Sequence, residues 1–432
     1  MYNSECVFAL NHSSRSIIAT SSSDKHRWLA GTCSITQDNE LSLLEFDEEN
    51  GILNLSGLYR HPDQVWCLAG SPSDQRLVVS SHVNKRGQHG VTLWRMRDHE
   101  SPGEEVTSVS NAVMAGTPDK QDLLNVCNLK DIHSSRPFAN SIRWNGAGTK
   151  LLTSGGGRVL IQDIAEERVA DTMEVDIETC LVGQGNSGDI KTEVMSNSES
   201  GSGKECDAAT WDPHNSNCCI ATSGSNVSFI DTRACTVTSS FQAAASGFAL
   251  KDVDCNPNKP EAFITCGEDR LVRCWDSRSV GKGPVRTLLG HSHWAVTCRY
   301  NPFHDQLLLS AGTDNAVNLW RVASCSSSPW LGGEVDASDA NSSKSGLSNS
   351  RTRSSSRSSR GTTVSTEEDD DSDDSMSLDP PDLRIRCIDQ HSDSVYSLAW
   401  SLADAWSFCS VSFDGRVVLN RVPSSEKYKI LL

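Results

Sequence analysis

Five stretches of this chain end a short apolar run on an aromatic residue or a cysteine and reach a second marked position about twenty residues later. The paired ends are Trp144 and Gln162, Trp211 and Ile230, Cys255 and Trp275, Tyr300 and Trp320, and Trp400 and Asn420, with spacings of 18, 19, 20, 20 and 20 residues. A period of this size constrains the fold more tightly than any single residue. Each copy must be one supersecondary module, unable to bury its apolar face alone and stable only when stacked on its neighbours.

The fullest copy, GHSHWAVTCRYNPFHDQLLLSAGTDNAVNLWR from Gly290 to Arg321, resembles the WD repeat, which forms one four-stranded blade of a β-propeller. The fold class expected is therefore all-β: a single seven-bladed WD-repeat β-propeller over residues 1–432, with disordered insertions. The blades run about Arg27–Phe46, His61–Trp94, Ser141–Ile164, Asp207–Arg233, Lys251–Arg278, Gly290–Arg321 and His391–Val422. In the second blade a longer VNKRGQHG loop separates two strands, and the third blade carries Gln162-Asp163 where Trp-Asp is expected. The segment CVFAL, Cys6–Leu10, is expected to supply the outer strand that closes the ring. An unclosed ring would leave strand edges open to pairing with other chains.

Hydrophobic residues make up 37% of the chain, below the globular average, so part of it should lie outside any core. Three insertions account for this: a polar one at 98–130, a Ser/Gly-rich one at 165–205, and one at 323–383 that reads SRTRSSSRSSR and then STEEDDDSDDS. The third has too little apolar content to offset the entropy of ordering and is expected to be disordered. Ser365, Ser372 and Ser375 lie beside acidic residues there, in the manner of acidophilic kinase sites, where phosphorylation would add negative charge.

Within the repeats, His291, Ser310, Asp314 and Trp320 occupy the four positions of the buried hydrogen-bonded tetrad that braces WD blades, a network stable only when every member is satisfied. The seventh blade keeps His391, Ser410 and Asp414 but ends in Asn420. The fifth keeps Thr265, Asp269 and Trp275 and lacks the histidine.

Signals of catalysis or of a bound cofactor are weak. Gly183–Gly188 matches G-x-G-x-x-G, but neither the strand before it nor the helix after it that a dinucleotide fingerprint needs is present. Gly203-Lys204 lacks the remainder of a phosphate-binding loop. His291 and His293 have no companion ligands at zinc spacing, and neither a G-x-S-x-G elbow nor an H-E-x-x-H helix occurs. No catalytic residue, cofactor or metal is expected, and an enzyme ranks last among the readings. A net charge of −17 argues against a nucleic-acid surface. No apolar run reaches the length of a membrane span, which argues against direct membrane insertion. The sixteen cysteines form no C-x-x-C pair, and Met1–Leu10 has no signal-peptide regions. An intracellular, reducing setting with free thiols is the expectation.

A sharper signal is Trp275-Asp276-Ser277-Arg278, closing the fifth blade. It resembles the WDxR box of substrate receptors for cullin-4 RING ubiquitin ligases. In those proteins the Asp and Arg face the adaptor from one rim. Asp231 and Arg233 close the fourth blade similarly. An arginine there offers bidentate bonds to a partner; the alternative is a local ion pair that merely ends a strand.

FDEEN (Phe46–Asn50), NPNK (Asn256–Lys259), HSHW (His291–Trp294), HDQLLL (His304–Leu309), DSVY (Asp393–Tyr396), DGRVVLNRVP (Asp414–Pro423) and the terminal YKILL together resemble the EARP- and GARP-complex-interacting WD-repeat proteins. That resemblance implies a propeller that docks endosomal tethering complexes and supports endosomal recycling and retrograde traffic to the trans-Golgi network. It implies a cytoplasmic protein brought to those membranes by its partners. SAGTDNAVNLW (Ser310–Trp320) is similar to plant relatives that look like cullin-4 receptors, for which a nuclear location would also fit. The three long insertions and the degenerate third blade depart from both patterns.

Overall fold

Short runs of apolar and β-branched residues, punctuated by polar turns, fold into seven antiparallel sheets arranged in a ring in the computed structural model of the protein. The structure describes residues 6–20, 25–97, 120–129, 139–177, 206–328 and 382–431. Counting outward from the axis, each sheet has an inner, a second, a third and an outer strand. The inner strands are Ser14–Ala19, Gln64–Gly70, Ser141–Trp144, Cys206–Trp211, Leu250–Cys255, Ala295–Tyr300 and Val395–Trp400. Each packs against the next, and the seventh packs against the first.

Ring closure is as the sequence predicts. Cys6–Ala9 pairs antiparallel with Arg416–Arg421, Cys6 opposite Leu419 and Ala9 opposite Arg416. The N-terminus thereby supplies the outer strand of the seventh blade and removes its open edge.

The insertions are smaller than the sequence suggests. Leu124–Leu129, inside the expected 98–130 insertion, is the outer strand of the second blade. Gln121–Asp122 adds a short parallel fifth strand to the first blade. Arg168–Asp176, inside 165–205, is the outer strand of the third blade, and the outer strand of the sixth begins at Asp382, inside 323–383. The physical reason is common to all: an outer strand is half-solvated and mixes exposed with half-buried positions, so it carries little of the apolar signal of a buried strand. The inner strand of the first blade, SRSIIA, also lies outside the blade boundaries expected from the repeat. The remaining insertion residues, with Gly183–Gly188, Gly203-Lys204, Ser365, Ser372 and Ser375, lie outside the described residues.

The core is a set of seven apolar layers, one per interface between adjacent blades. Second strands such as Ala262–Gly267, Leu307–Gly312 and Ser407–Ser412 are buried at all six positions. Each fully buried Leu or Phe there contributes roughly 1.5–3 kcal/mol by leaving water. Buried thiols behave as small hydrophobes in the same layers: burial pushes Cys255, Cys298 and Cys409 well above their ordinary value.

The tryptophans that open three of the five repeat units have a physical role. Trp144 Nε1 donates to Ala69 O at 3.3 Å, Trp211 Nε1 to Arg143 O at 3.1 Å and Trp400 Nε1 to Arg299 O at 3.5 Å. Each indole thus clasps the inner strand of the preceding blade. Trp28, on the second strand of the first blade, does the same to Ala399 O at 3.2 Å and ties first to seventh. Beyond the seventh blade, a helix at Ser424–Leu431 places Glu426 Oε2 2.6 Å from Nη1 of the fully buried Arg321. Among the described residues no helix is long and apolar enough to cross a membrane.

Candidate functional site

The tetrad positions of the sixth blade form a continuous chain. Trp320 Nε1 donates to Ser310 Oγ at 2.9 Å, Ser310 Oγ lies 2.8 Å from His291 Nε2, and His291 Nδ1 lies 3.0 Å from Asp314 Oδ2. Burial alone would raise the Asp314 carboxyl. The bond and charge of His291, with the backbone N–H groups of Ser292 and Ala316, hold it below the usual carboxylate range instead. A methyl group on Gly290 would meet Trp320 Cη2 at 2.6 Å, which explains why the repeat opens on Gly-His.

In the seventh blade His391 Nε2 is 2.7 Å from Ser410 Oγ, and Nδ1 reaches Asp414 through Ser412, at 2.8 and 2.5 Å. In the fifth, Trp275 Nε1 donates to Thr265 Oγ1 at 2.9 Å, while Asp269 pairs with Arg273 at 2.6 Å.

Sequence reasoning missed one such chain. In the second blade His61 Nε2 lies 2.9 Å from Ser80 Oγ, which accepts from Trp94 Nε1 at 2.8 Å. The available signal was the histidine-to-serine interval, 19 residues in the second, sixth and seventh blades alike. The longer hairpin stretches the serine-to-tryptophan interval from 10 to 14 residues and hides the match.

The two faces of the ring differ. On one rim, the third strands of the adjacent fourth and fifth blades each run out into an Asp-x-Arg sequence. Arg278 Nε and Nη2 bond both carboxylate oxygens of its own Asp276, at 3.0 and 2.7 Å, with Glu261 3.8 Å from Nη1. The Arg278 bond and its charge lower the Asp276 pKa. Arg233 stands 3.5 Å from Asp231, whose pKa is lowered first by the Arg233 backbone N–H. Both guanidiniums are well exposed, at 65% and 72%. Trp275 is not at the surface with them: it is buried against Phe241 and Phe263. A cavity of about 280 Å³ opens between the two blades, with Asp212, His214, Glu261 and Ser277 above Ile220 and Phe263.

The opposite rim is the mouth of the axial channel. Six of the seven inner strands break register near their start, a β-bulge that re-aims side chains. Arg15, Trp66, Lys251, Val296 and Tyr396 are the single bulged residues, and all line the channel, a cavity of about 730 Å³. Deeper in, Asp252 Oδ2 accepts from Thr297 Oγ1 at 2.8 Å and from Arg299, with Arg143 3.7 Å from Oδ1. Asp254, whose carboxyl burial pushes up, accepts the Tyr300 N–H at 2.9 Å.

Among the described residues, one group places three possible metal donors together: His26, Glu48 and Asp404, at the seam of the first and seventh blades. Arg421 Nη2 already lies 2.6 Å from Glu48 Oε1 and supplies positive charge there. His291 and His293 diverge, the latter reaching Thr313 Oγ1 at 2.5 Å.

A closed propeller with a paired-arginine rim and an aromatic-lined channel mouth defines a WD-repeat protein-interaction protein, a fold that typically serves as a non-catalytic scaffold. A profile of the EIPR1 beta-propeller family matches residues 162–320, and one of the WD domain, G-beta repeat, matches 383–419. The chain is 30% identical over 442 residues to the EARP-interacting protein homolog of Gekko japonicus and 29% identical over 442 residues to EARP and GARP complex-interacting protein 1 of Homo sapiens. Each match covers 99% of this chain and 98% of the relative. It is 28% identical over 401 residues to the WD repeat-containing protein DWA2 of Arabidopsis thaliana, covering 92% of this chain and 91% of the relative. The chain belongs to the family of EARP- and GARP-complex-interacting WD-repeat proteins.

Proposed function

We propose that this protein is a non-enzymatic scaffold that docks an endosomal tethering complex of the EARP and GARP type. In that role it supports endosomal recycling and endosome-to-Golgi transport, working in the cytoplasm at membranes to which its partners bring it. The observation that carries the reading is end-to-end likeness to relatives named for that interaction, over 98% of their length. The ring architecture supports it, since closed sheets leave loops and rims as the surfaces that partners meet. The test is affinity purification of the tagged full chain followed by mass spectrometry. Shared tethering subunits are the expected yield, and a purification without them removes the reading.

A second reading rests on the neighbouring Asp-x-Arg ends. In it Asp276, Arg278, Asp231 and Arg233, with Trp275 as the buried support, form the adaptor-binding rim of a substrate receptor for a cullin-4 ubiquitin ligase, with a nuclear location open to it. Each arginine is exposed; Arg278 is held by Asp276 through two side-chain bonds, and Arg233 touches Asp231 at 3.5 Å, leaving free guanidinium N–H groups for a partner carboxylate or backbone. Arg278→Ala combined with Arg233→Ala should abolish adaptor capture while leaving the unfolding transition within about 0.5 kcal/mol, as for most surface substitutions. Undiminished capture by that variant ends this reading. The tetrad residues His291, Ser310, Asp314, Trp320, His391, Ser410 and Thr265 serve in either case as internal braces, whereas Asp414 is exposed and reaches His391 only through Ser412, and Asp269 pairs with Arg273 instead.

A further inference from the structure

The bulged residues of three consecutive inner strands meet at the channel mouth. Arg15 of the first blade lies between Trp66 of the second and Tyr396 of the seventh, its guanidinium carbon 4.2 Å from each ring centroid. Rings on both faces leave only the in-plane N–H edge of the guanidinium for hydrogen bonding. The other channel cations are answered by carboxylates: Arg143 and Arg299 by Asp252, and Lys251 by Glu268 at 3.2 Å. Arg15 has no ion-pair partner among the described residues. A half-buried cation without a counter-charge is costly, and burial accordingly pulls its pKa down.

We propose that the channel mouth is a docking site for an acidic peptide segment of a partner protein, anchored by a Glu or Asp carboxylate on the in-plane edge of Arg15. The fork geometry suits a planar carboxylate and the two rings fix its direction. Space and an apolar rim accompany the charge: the cavity of about 730 Å³ admits a side chain with its flanking backbone. Trp294, 43% exposed, and Phe413, 39% exposed and edge-on to Tyr396 at 6.0 Å, offer apolar contact at the lip. The net charge of −17 does not oppose this at physiological salt, where screening over about 8 Å leaves the local charges in control.

The proposal rests on the scaffold reading only in that the site serves a protein partner, and its test needs no tethering complex. The full chain is titrated against a fluorescein-labelled octaglutamate peptide at about 0.15 M salt, with anisotropy as the readout. Saturable binding is expected, weakened at least about tenfold by Arg15→Gln, which keeps a planar group between the rings. Lys282→Ala, which removes an exposed cation in the turn after the third strand of the fifth blade, should bind as the parent does. Arg15→Lys, which keeps the charge and loses the fork, should also weaken binding; it decides the matter if circular dichroism shows the Gln variant unfolded. No saturable binding by the parent, equal binding of octalysine, or undiminished binding by the folded Arg15 variant overturns the proposal. Peptide binding without recovered tethering subunits would sink the scaffold reading alone.

Discussion

The sixth and seventh blades begin from the same histidine and serine, 19 residues apart, and finish differently. In the sixth, Trp320 completes the polar chain by donating to Ser310. In the seventh, Asn420 stands at the indole position, fully buried, with neither amide atom given a hydrogen-bond partner. Across the ladder Phe408 faces Asn420 where Leu308 faces Trp320, so part of the missing ring volume reappears on the neighbouring strand. The third blade resembles the seventh: Gln162 is fully buried and unpaired, as is the Thr153 hydroxyl. The fourth takes another course, with Ala221 and Ile230 replacing both partners. Deleting both members of a buried bond is nearly neutral, whereas deleting one strands the other. Completed and wholly apolar blades are therefore the stable solutions, and the half-polar ones are weak points.

The sharpest way to break that ranking is Trp320→Ala. It empties a buried aromatic site and leaves Ser310 without its donor, so a loss of about 3–5 kcal/mol is expected, read from urea unfolding of the full chain. A loss under about 1 kcal/mol would show that the sixth blade does not depend on its completed chain.

Acid should separate the two blades by a smaller amount. Burial, with Arg416 nearby, holds His391 down to about 4, against an ordinary value of 6.5, although Asp414 pulls the other way. The unfolded chain therefore binds a proton first. Stability from this group is complete above pH 6.5 and declines as pH falls toward 4, by up to about 3 kcal/mol. Asp314 of the sixth blade is depressed below 3.8, so its contribution persists until the pH drops through that ordinary value and is lost only below it. His61 of the second blade, lowered to about 3 by burial and by His82, adds to the first window. Unfolding free energy measured from pH 7 to 3 should lose slope between 6.5 and 4 in His391→Gln, and lose slope only below about 4 in Asp314→Asn. An unaltered profile in His391→Gln would show that the histidine is not held neutral.

How far the sequence revealed these blades follows the same physics. Its period located the third strands of five blades, because a Trp or its substitute occupies a buried, geometrically fixed position. It located the closing strand at Cys6–Ala9, since an orphan apolar run before the first blade has one edge to fill. Outer strands such as Arg168–Asp176 escaped because nearly all their positions are exposed or only half-buried and read as linker. The bulges that gather Arg15, Trp66 and Tyr396 were also unreadable. Each is an ordinary residue in its own strand, and only ring closure brings three distant segments into one stack. For Arg278 the sequence offered a docking arginine or a local ion pair, and the structure shows the ion pair with Asp276 on a side chain that stays exposed.

The finest discrimination comes from Asn420→Leu. Leucine keeps the branched four-heavy-atom skeleton of asparagine, with bulkier methyl ends, and removes an amide for which the blade provides no partner. Ser410 keeps His391 and the Val418 carbonyl, at 2.7 and 3.4 Å. The seventh blade would then approach the apolar arrangement of the fourth, and a gain of about 1 kcal/mol in unfolding free energy is expected. A loss of that size would mean that the amide is hydrogen-bonded in solution through water held between the strands, and that the seventh blade is completed by solvent where the sixth is completed by Trp320.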